Sequence, residues 1–258
     1  MSYVKKVIGL HIFGQATLAA ATLECCKKHF LCNPPKISDR PPSDVLWICY
    51  DTPIGLNDEP DTEWVVERIR EHVRLLGTHC FPLILISSQL PVGTTARLEK
   101  EFPQHSFACQ PENIRVASAV ADFQNQERVV IGRRNIKHDE LLGELFAPFI
   151  VPFTGKIILT DPESAEMVKH ALNCYLGMSI AFANEIARVC KAVGADVEAV
   201  SQGLRTERRV SPLAPLKPGA PFGGGHLARD IFTVRRIAHE NGVSIPIIAA
   251  IKPSNDGR

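Results

Sequence analysis

FPLILISSQLPVGTT, Phe81 to Thr95, joins an unbroken apolar run to a hydroxyl-rich loop and the start of a helical pattern. LILI shows no alternation of polar and apolar positions, so a strand there must be covered on both faces. SSQLPVG carries the small, hydroxyl and turn residues that gather where a strand ends, and a helix follows from Thr95. A strand buried on both sides and followed directly by a helix is the repeating piece of a parallel α/β sheet.

The same texture extends upstream. VLWICY, Val45 to Tyr50, reads as another buried strand, closed by the turn chemistry of DTPIGLNDEPD, and Thr62 to Leu76 has helical periodicity. Val4 to Leu10 reads as the first strand and Gln15 to Lys28 as a helix rich in Ala and Leu. Asn33 to Pro42 holds four prolines and reads as a loop. After Gly155 the pattern changes. Pro162 to Gly194 is one long helical run, with apolar residues at Met167, Val168, Ala171, Leu172, Tyr175, Leu176 and Ile180. Further helices are expected at Val197 to Leu204, Ala228 to Asn241 and Pro246 to Ile251. The expected fold is α/β: a shortened Rossmann-like parallel sheet domain over residues 1–155, then an all-helical domain for substrate and dimerisation over 156–258.

Composition narrows the classes of function. The 258 residues are 45% apolar, with 29 Lys and Arg against 28 Asp and Glu, a net charge of +1. That balance provides no footprint for nucleic acid. No apolar run approaches the roughly 18 to 20 residues of a membrane span. MSYVKKVIGL is followed by no long apolar core and no small-residue cleavage site, so a signal peptide is not expected. Eight scattered cysteines form no CxxC and no zinc-like set, and reduced thiols in a cytoplasmic protein are expected, with no metal.

Several motifs carry chemistry, each with a plain structural rival. GLHIFG, Gly9 to Gly14, falls between the first strand and first helix, where a dinucleotide fingerprint would lie. Its first and third glycines are present, but His11 holds the middle position, where a side chain would crowd a pyrophosphate. A ribose-binding acid is expected about 20 residues on, yet the chain enters its proline-rich loop there, with Asp39 the nearest acid. A simple strand-to-helix turn remains the rival reading. SSQLPVGTT lies at a strand's carboxyl end, where open α/β sheets bind ligands. QPEN, Gln110 to Asn113, offers Glu112, and KHALN, Lys169 to Asn173, places a cation and an amide one helical turn apart. PGAPFGGGHLARD, Pro218 to Asp230, sets three glycines directly before His226.

In this order the motifs resemble the UDP-glucose/GDP-mannose dehydrogenase family of nucleotide-sugar 6-dehydrogenases. SDVLWICYDTP is similar to the family strand ending in Thr-Pro, SSQLPVGTT to its Ser-Thr-x-Pro-x-Gly-Thr loop, and QPENIRVASAVAD to its Asn-Pro-Glu-Phe segment. ERVVIG resembles the strand that follows. AEMVKHALNCYLGMSIAFANEIARVCKAVGADVEAV resembles the central helices along its whole length, and PGAPFGGGHLARD the glycine-rich substrate loop.

The resemblance implies NAD as cofactor, with NADP possible, around Gly9, His11, Gly14, Thr52, Ser88, Gln89, Glu112 and Arg229. It implies catalytic roles for Glu112, Lys169, Asn173 and Asp230, and substrate contacts from Gly223, Gly224, Gly225 and Arg209. It also implies a homodimer through the helix around 162–194. His226 stands where the family keeps a nucleophilic cysteine that traps an aldehyde as a thiohemiacetal. Imidazole adducts do not ordinarily lose hydride, so a single two-electron exchange on a sugar-derived or small hydroxy substrate is expected. The Lys-x-x-x-Asn pair also resembles the β-hydroxyacid dehydrogenases.

The family's second strand, next helix and third strand are expected to be absent between Phe30 and Ser43. The uridine-clasping third domain is expected to be absent as well, which puts a UDP-sugar in doubt. Two other readings stay open. One is a degenerate paralogue that binds a ligand or partner; the other is a lyase or epimerase using Lys169 and His226 as acid and base.

Overall fold

The computed structural model describes residues 8–33, 43–53, 60–76, 81–112, 114–223 and 225–257. Its strands are β1 (Gly9–Gln15), β2 (Leu31–Asn33), β3 (Val45–Tyr50), β4 (Leu83–Ile86), β5 (Ser106–Cys109), β6 (Arg128–Arg133) and β7 (Lys156–Thr160). They form one sheet in the order β2-β1-β3-β4-β5-β6-β7. β2, β1, β3, β4 and β5 are mutually parallel; β6 pairs antiparallel with β5 and parallel with β7. The sheet is therefore mostly parallel, but its last two strands reverse. Val129, Val130 and Ile131 are buried on both faces, and such a run looks the same whichever way it points.

The strict alternation of inward residues separates two cores. Val45, Trp47 and Cys49 of β3 face Leu18, Cys25 and Cys26 of α1 (Ala16–Cys26), together with apolar residues later in the chain. Leu46 and Ile48 face Val65, Val66 and Ile69 of α2 (Thr62–Leu75) and Leu98 of α3 (Thr94–Glu101). α4 (Ala119–Gln124) and α5 (Asp139–Phe146) cover the first face, through Phe123, Leu142, Leu145 and Phe146. α2 starts where Asp61 accepts a hydrogen bond from the Trp64 backbone at 3.0 Å, a side-chain cap that satisfies one orphan donor.

Two sequence expectations need correction. The first strand was expected at Val4 to Leu10, and its opening residues lie outside the described part. The described strand runs on through GLHIFG to Gln15. A second strand, expected to be absent, is present as β2, three residues parallel to β1. The rest of the proline-rich segment lies outside the described residues.

By contact, the chain divides between Lys169 and His170. β7 is a full member of the sheet, and the first turns of α6 (Pro162–Val193) belong with it. Glu166 fixes them there: its carboxylate accepts from the backbone of Gly93 at 2.6 Å, and from the backbone and hydroxyl of Thr95 at 3.0 and 2.7 Å. These bonds fill the N-terminus of α3, where Gly93 offers no capping side chain. Burial is the main influence on Glu166 and pushes its carboxyl above the ordinary range.

The second unit consists of the rest of α6 with α7 (Val197–Thr206), α8 (Gly225–Glu240) and α9 (Pro246–Asp256). Cys174, Ile231 and Ile251 are its buried apolar centre, with Met178, Phe222, Val234 and Ile248 packed around them. Gly177 allows α6 and α8 to close: a Cβ there would meet Ile231 Cδ1 at 3.1 Å. Among the described residues, no helix is long and apolar enough to cross a membrane.

Candidate active site

In a parallel sheet the ligand edge lies beyond the carboxyl ends of the strands. The register places that edge: Gln15 of β1 pairs with Tyr50 of β3, and Ile48 with Ile86 of β4. Gly9 lies six residues back along β1, about 20 Å from the edge at strand rise. Its N–H donates to Asp44 Oδ2 at 2.9 Å. His11 is buried, with Ser43 Oγ 2.5 Å from Nδ1. Neither residue stands at the ligand edge, so neither can form the expected phosphate turn. Gly14 is near the edge, but its need for glycine is internal. A Cβ there would lie 2.2 Å from the Cys49 carbonyl oxygen, so glycine lets β1 and β3 approach. The strand-to-helix turn falls instead at Gln15 and Ala16.

That turn has an occupant. Gln15 makes no side-chain cap and the first turn of α1 has no acid of its own. Asp51, the residue after β3, supplies the carboxylate, and Oδ2 accepts from the Thr17 backbone at 3.2 Å. The sequence held this signal in DTP, where Asp51 reads only as turn chemistry. β2 ends at Asn33, an amide, level in register with His11, so its end also stops short of the ligand edge.

The carboxyl edges of β3 and β4 do bring expected residues together. The Thr52 hydroxyl donates to the Gln89 carbonyl at 2.8 Å, and Ser88 Oγ accepts from the Tyr50 backbone at 2.9 Å. Beside them Trp47 Nε1 donates to Ser87 Oγ, which donates on to Gln110 Oε1, both at 2.8 Å. These bonds lock the floor of the edge. Glu112, at the loop after β5, turns its carboxylate onto the Ile114 backbone. Lys169 is half-buried at the end of the first unit.

In the second unit the clearest cluster surrounds Asp230, which is 0% exposed on α8. His170 Nδ1 lies 2.8 Å from Asp230 Oδ1, and Asn173 Nδ2 donates to Oδ2. His170 and Asn173 are three apart on α6 and so share a face. An ionised carboxylate has no proton to give, so His170 Nδ1 carries the hydrogen. Burial is the largest influence on Asp230 and raises its pKa. The bonds from His170 and Asn173 and the charge of buried Arg229 outweigh it, and the carboxyl is held below its ordinary range. The sequence had named Asn173 and Asp230 but passed over His170, although KHALN contains it.

The remaining expected residues differ in placement. α8 begins at Gly225, so Gly225 and His226 open the helix rather than sit in a loop; the His226 side chain and all of Gly224 lie outside the described residues. Gly223 is exposed, with open space where a Cβ would stand. Arg209 is exposed and pairs with Glu207 at 2.9 Å. Cys174, the residue after Asn173, is buried in the second unit. Burial, with some help from Asp230, pushes it up to about 11 and suppresses the thiolate. Among the described residues, no group of three or more His, Cys, Asp or Glu could hold a metal ion.

Comparison with known proteins places this geometry. Residues 17–150 match the NAD binding domain of the UDP-glucose/GDP-mannose dehydrogenase family, and residues 163–257 match its central domain. The first match begins downstream of GLHIFG. UDP-glucose 6-dehydrogenase TuaD of Bacillus subtilis is 34% identical over 224 residues, which cover 83% of this chain and 46% of that protein. The chain spans about half the length of the curated relatives it matches. Among solved structures, a UDP-glucose dehydrogenase from Pyrobaculum islandicum superposes with a TM-score of 0.84 at 21% identity, covering 99% of this chain and 69% of that one. The fold likeness extends to 3-hydroxyisobutyrate dehydrogenase of Mycobacterium tuberculosis, with a TM-score of 0.69 at 13% identity, covering 95% of this chain and 91% of that one. By sequence over both matched regions, the chain belongs to the UDP-glucose/GDP-mannose dehydrogenase family and carries that family's NAD-binding and central domains.

Proposed function

We propose that the chain is a nicotinamide-dependent oxidoreductase that exchanges two electrons between an alcohol and a carbonyl and stops there. The observation that carries this reading is the Asp230 cluster. A helix pair with only a packing role has no reason to bury an ionised carboxylate, because well-packed apolar residues are usually as stable or more so. Asn173 and Asp230 are also two of the positions that the family resemblance implies are catalytic.

A dinucleotide fits the first unit on one point of its chemistry: the start of α1 already holds an anion, the Asp51 carboxylate. Helix N-termini accept pyrophosphate through the same kind of N–H. Residues Thr52, Ser88 and Gln89 would shape the floor beneath it. When bound, the nicotinamide supplies a hydride acceptor or donor. Lys169 would polarise or take the proton of the substrate hydroxyl, and Asn173 would orient it. Glu112 and His226 are the groups left to move that proton onward.

The stopping point follows from position 226. Without a thiol there, and with Cys174 held protonated, no thiohemiacetal forms and an aldehyde is the last product. Product stoichiometry tests this: alcohols, hydroxy acids and nucleotide sugars are screened while reduced nicotinamide is counted against substrate consumed. One equivalent is expected from the natural chain and up to two from His226→Cys. Two equivalents from the natural chain would refute the two-electron reading.

A homodimer and a reducing compartment complete the proposal. Tyr175, Phe182 and Val189 are exposed at seven-residue intervals on α6. That stripe supports pairing with a second copy. The seven described cysteines are all free thiols, which supports a cytoplasmic location. A monomer in sedimentation equilibrium at micromolar concentration would remove the dimer.

A further inference from the structure

We propose that His170 is a positioning residue: by donating to one oxygen of Asp230 it fixes the Asn173 amide with Nδ2 toward the carboxylate and Oδ1 turned away, as an acceptor for a ligand hydroxyl. For the identity of that ligand, an alcohol, the inference rests on the two-electron reading above.

The argument is one of donors and acceptors. From α6, His170 Nδ1 meets Asp230 Oδ1 at 2.8 Å and Asn173 Nδ2 meets Oδ2. An ionised carboxylate only accepts, so it must face the nitrogen of an amide and never its oxygen. A protonated carboxyl can donate, and the Asn173 amide could then turn over. Burial drives Asp230 toward the protonated form, and the hydrogen bonds from His170 and Asn173 oppose it. His170 therefore decides more than its own contact. While its hydrogen holds Oδ1, the Asn173 amide has one orientation.

Packing gives the trio little freedom. The side chains of His170 and Asp230 are 3% and 1% exposed, so water does not stand in for either. His170 and Asn173 share a face of α6. The next residue, Cys174, packs in the core of the unit with Ile231, the neighbour of Asp230 on α8. Among the described residues no donor meets Asn173 Oδ1. The amide is thus committed at its nitrogen and open at its oxygen, the polarity that receives a hydroxyl hydrogen.

The test is hydrogen exchange at the Asn173 side-chain amide, read by nuclear magnetic resonance on the full chain, for the natural protein, His170→Phe and His170→Asn. Phenylalanine keeps a ring without a donor, and asparagine returns a donor near the place of Nδ1. Backbone exchange along α6 is followed in the same spectra, so a loosened helix is told apart from a freed amide. The Asn173 amide is expected to exchange about tenfold faster in His170→Phe, with the α6 backbone unchanged, and at the natural rate in His170→Asn. Equal Asn173 exchange in all three proteins, or acceleration shared by the whole of α6, would overturn the proposal. Should His170→Phe not fold, the natural chain still decides: a hydrogen on His170 Nδ1 is expected, and a bare Nδ1 would overturn it. With a screened alcohol that reduces nicotinamide, kcat is expected to fall at least about tenfold in His170→Phe at nearly constant KM, and to recover in His170→Asn. Unchanged turnover in His170→Phe would overturn the role of His170. No nicotinamide reduction by the natural chain would remove the oxidoreductase reading alone, and the exchange rates would still judge His170.

Discussion

The corner between β1 and α1 and the cluster between α6 and α8 met the sequence with opposite results. At the corner, glycines that looked like a phosphate turn lie along a strand, and Gly9 and His11 fall far from the ligand edge. At the cluster, Asn173 and Asp230, to which the family resemblance assigned catalytic roles, converge, with His170 beside them. The difference is one of geometry. A residue's direction on a long helix follows from its number alone, because the period is fixed. A residue in a strand-to-helix turn depends on where the strand stops, and register with the neighbouring strand decides that.

The largest effect is expected from removing the carboxylate of the cluster. Asp230→Ala leaves His170 and Asn173 facing an empty buried space and should cost about 4 kcal/mol of unfolding free energy, the range for breaking a buried pair. Denaturant unfolding measures it, and a loss below about 1 kcal/mol would mean that the cluster carries little. The pH dependence has a definite sign. Asp230 has a folded pKa below its unfolded value, so its stabilisation is present above the unfolded pKa. It is lost as pH falls through the folded one, in the acid limb of the stability curve. Asp230→Asn should flatten that limb.

At the corner, Gly14→Ala should cost about 3 kcal/mol, since the new methyl meets the Cys49 backbone at 2.2 Å. Gly9→Ala sharpens the contrast. A Cβ at Gly9 meets only ordinary contacts from 3.6 Å outward, so its stability should stay within about 0.5 kcal/mol of the natural chain. Its NAD affinity should not change either. A loss of NAD affinity on Gly9→Ala would restore GLHIFG as the phosphate turn.

A smaller effect concerns Cys174. Its thiol is pushed up to about 11, so alkylation by iodoacetamide in the folded protein at neutral pH should be at least tenfold slower than for a free cysteine. Rapid modification, mapped by mass spectrometry, would reopen Cys174 as a substitute nucleophile.

Much of the fold was legible. Val45 to Tyr50 is the strand that its apolar run implied, α2 ends within a residue of its expected limit, and α6 spans Pro162–Val193 against an expected Pro162 to Gly194. What escaped was directional or cooperative. The reversal of β6 is invisible in a run that is apolar on both faces. β2 is three residues long, too short to show a period, and exists because β1 offers it a parallel neighbour. His170 was hidden for a related reason. Its importance lies in a partner 60 positions away, and nothing in KHALN points there. Asp51 likewise meets the Thr17 backbone only because two strand ends pair.

The proposed oxidoreductase activity requires a first unit able to take a nicotinamide dinucleotide despite its altered corner. Calorimetric titration of the purified natural chain with NAD, NADH, NADP and NADPH tests that claim most directly. The prediction is saturable one-to-one binding of at least one of the four. No heat and no thermal stabilisation from any of the four at millimolar concentration, in protein shown to be folded, would contradict it and leave the Asp230 cluster in search of a non-redox role.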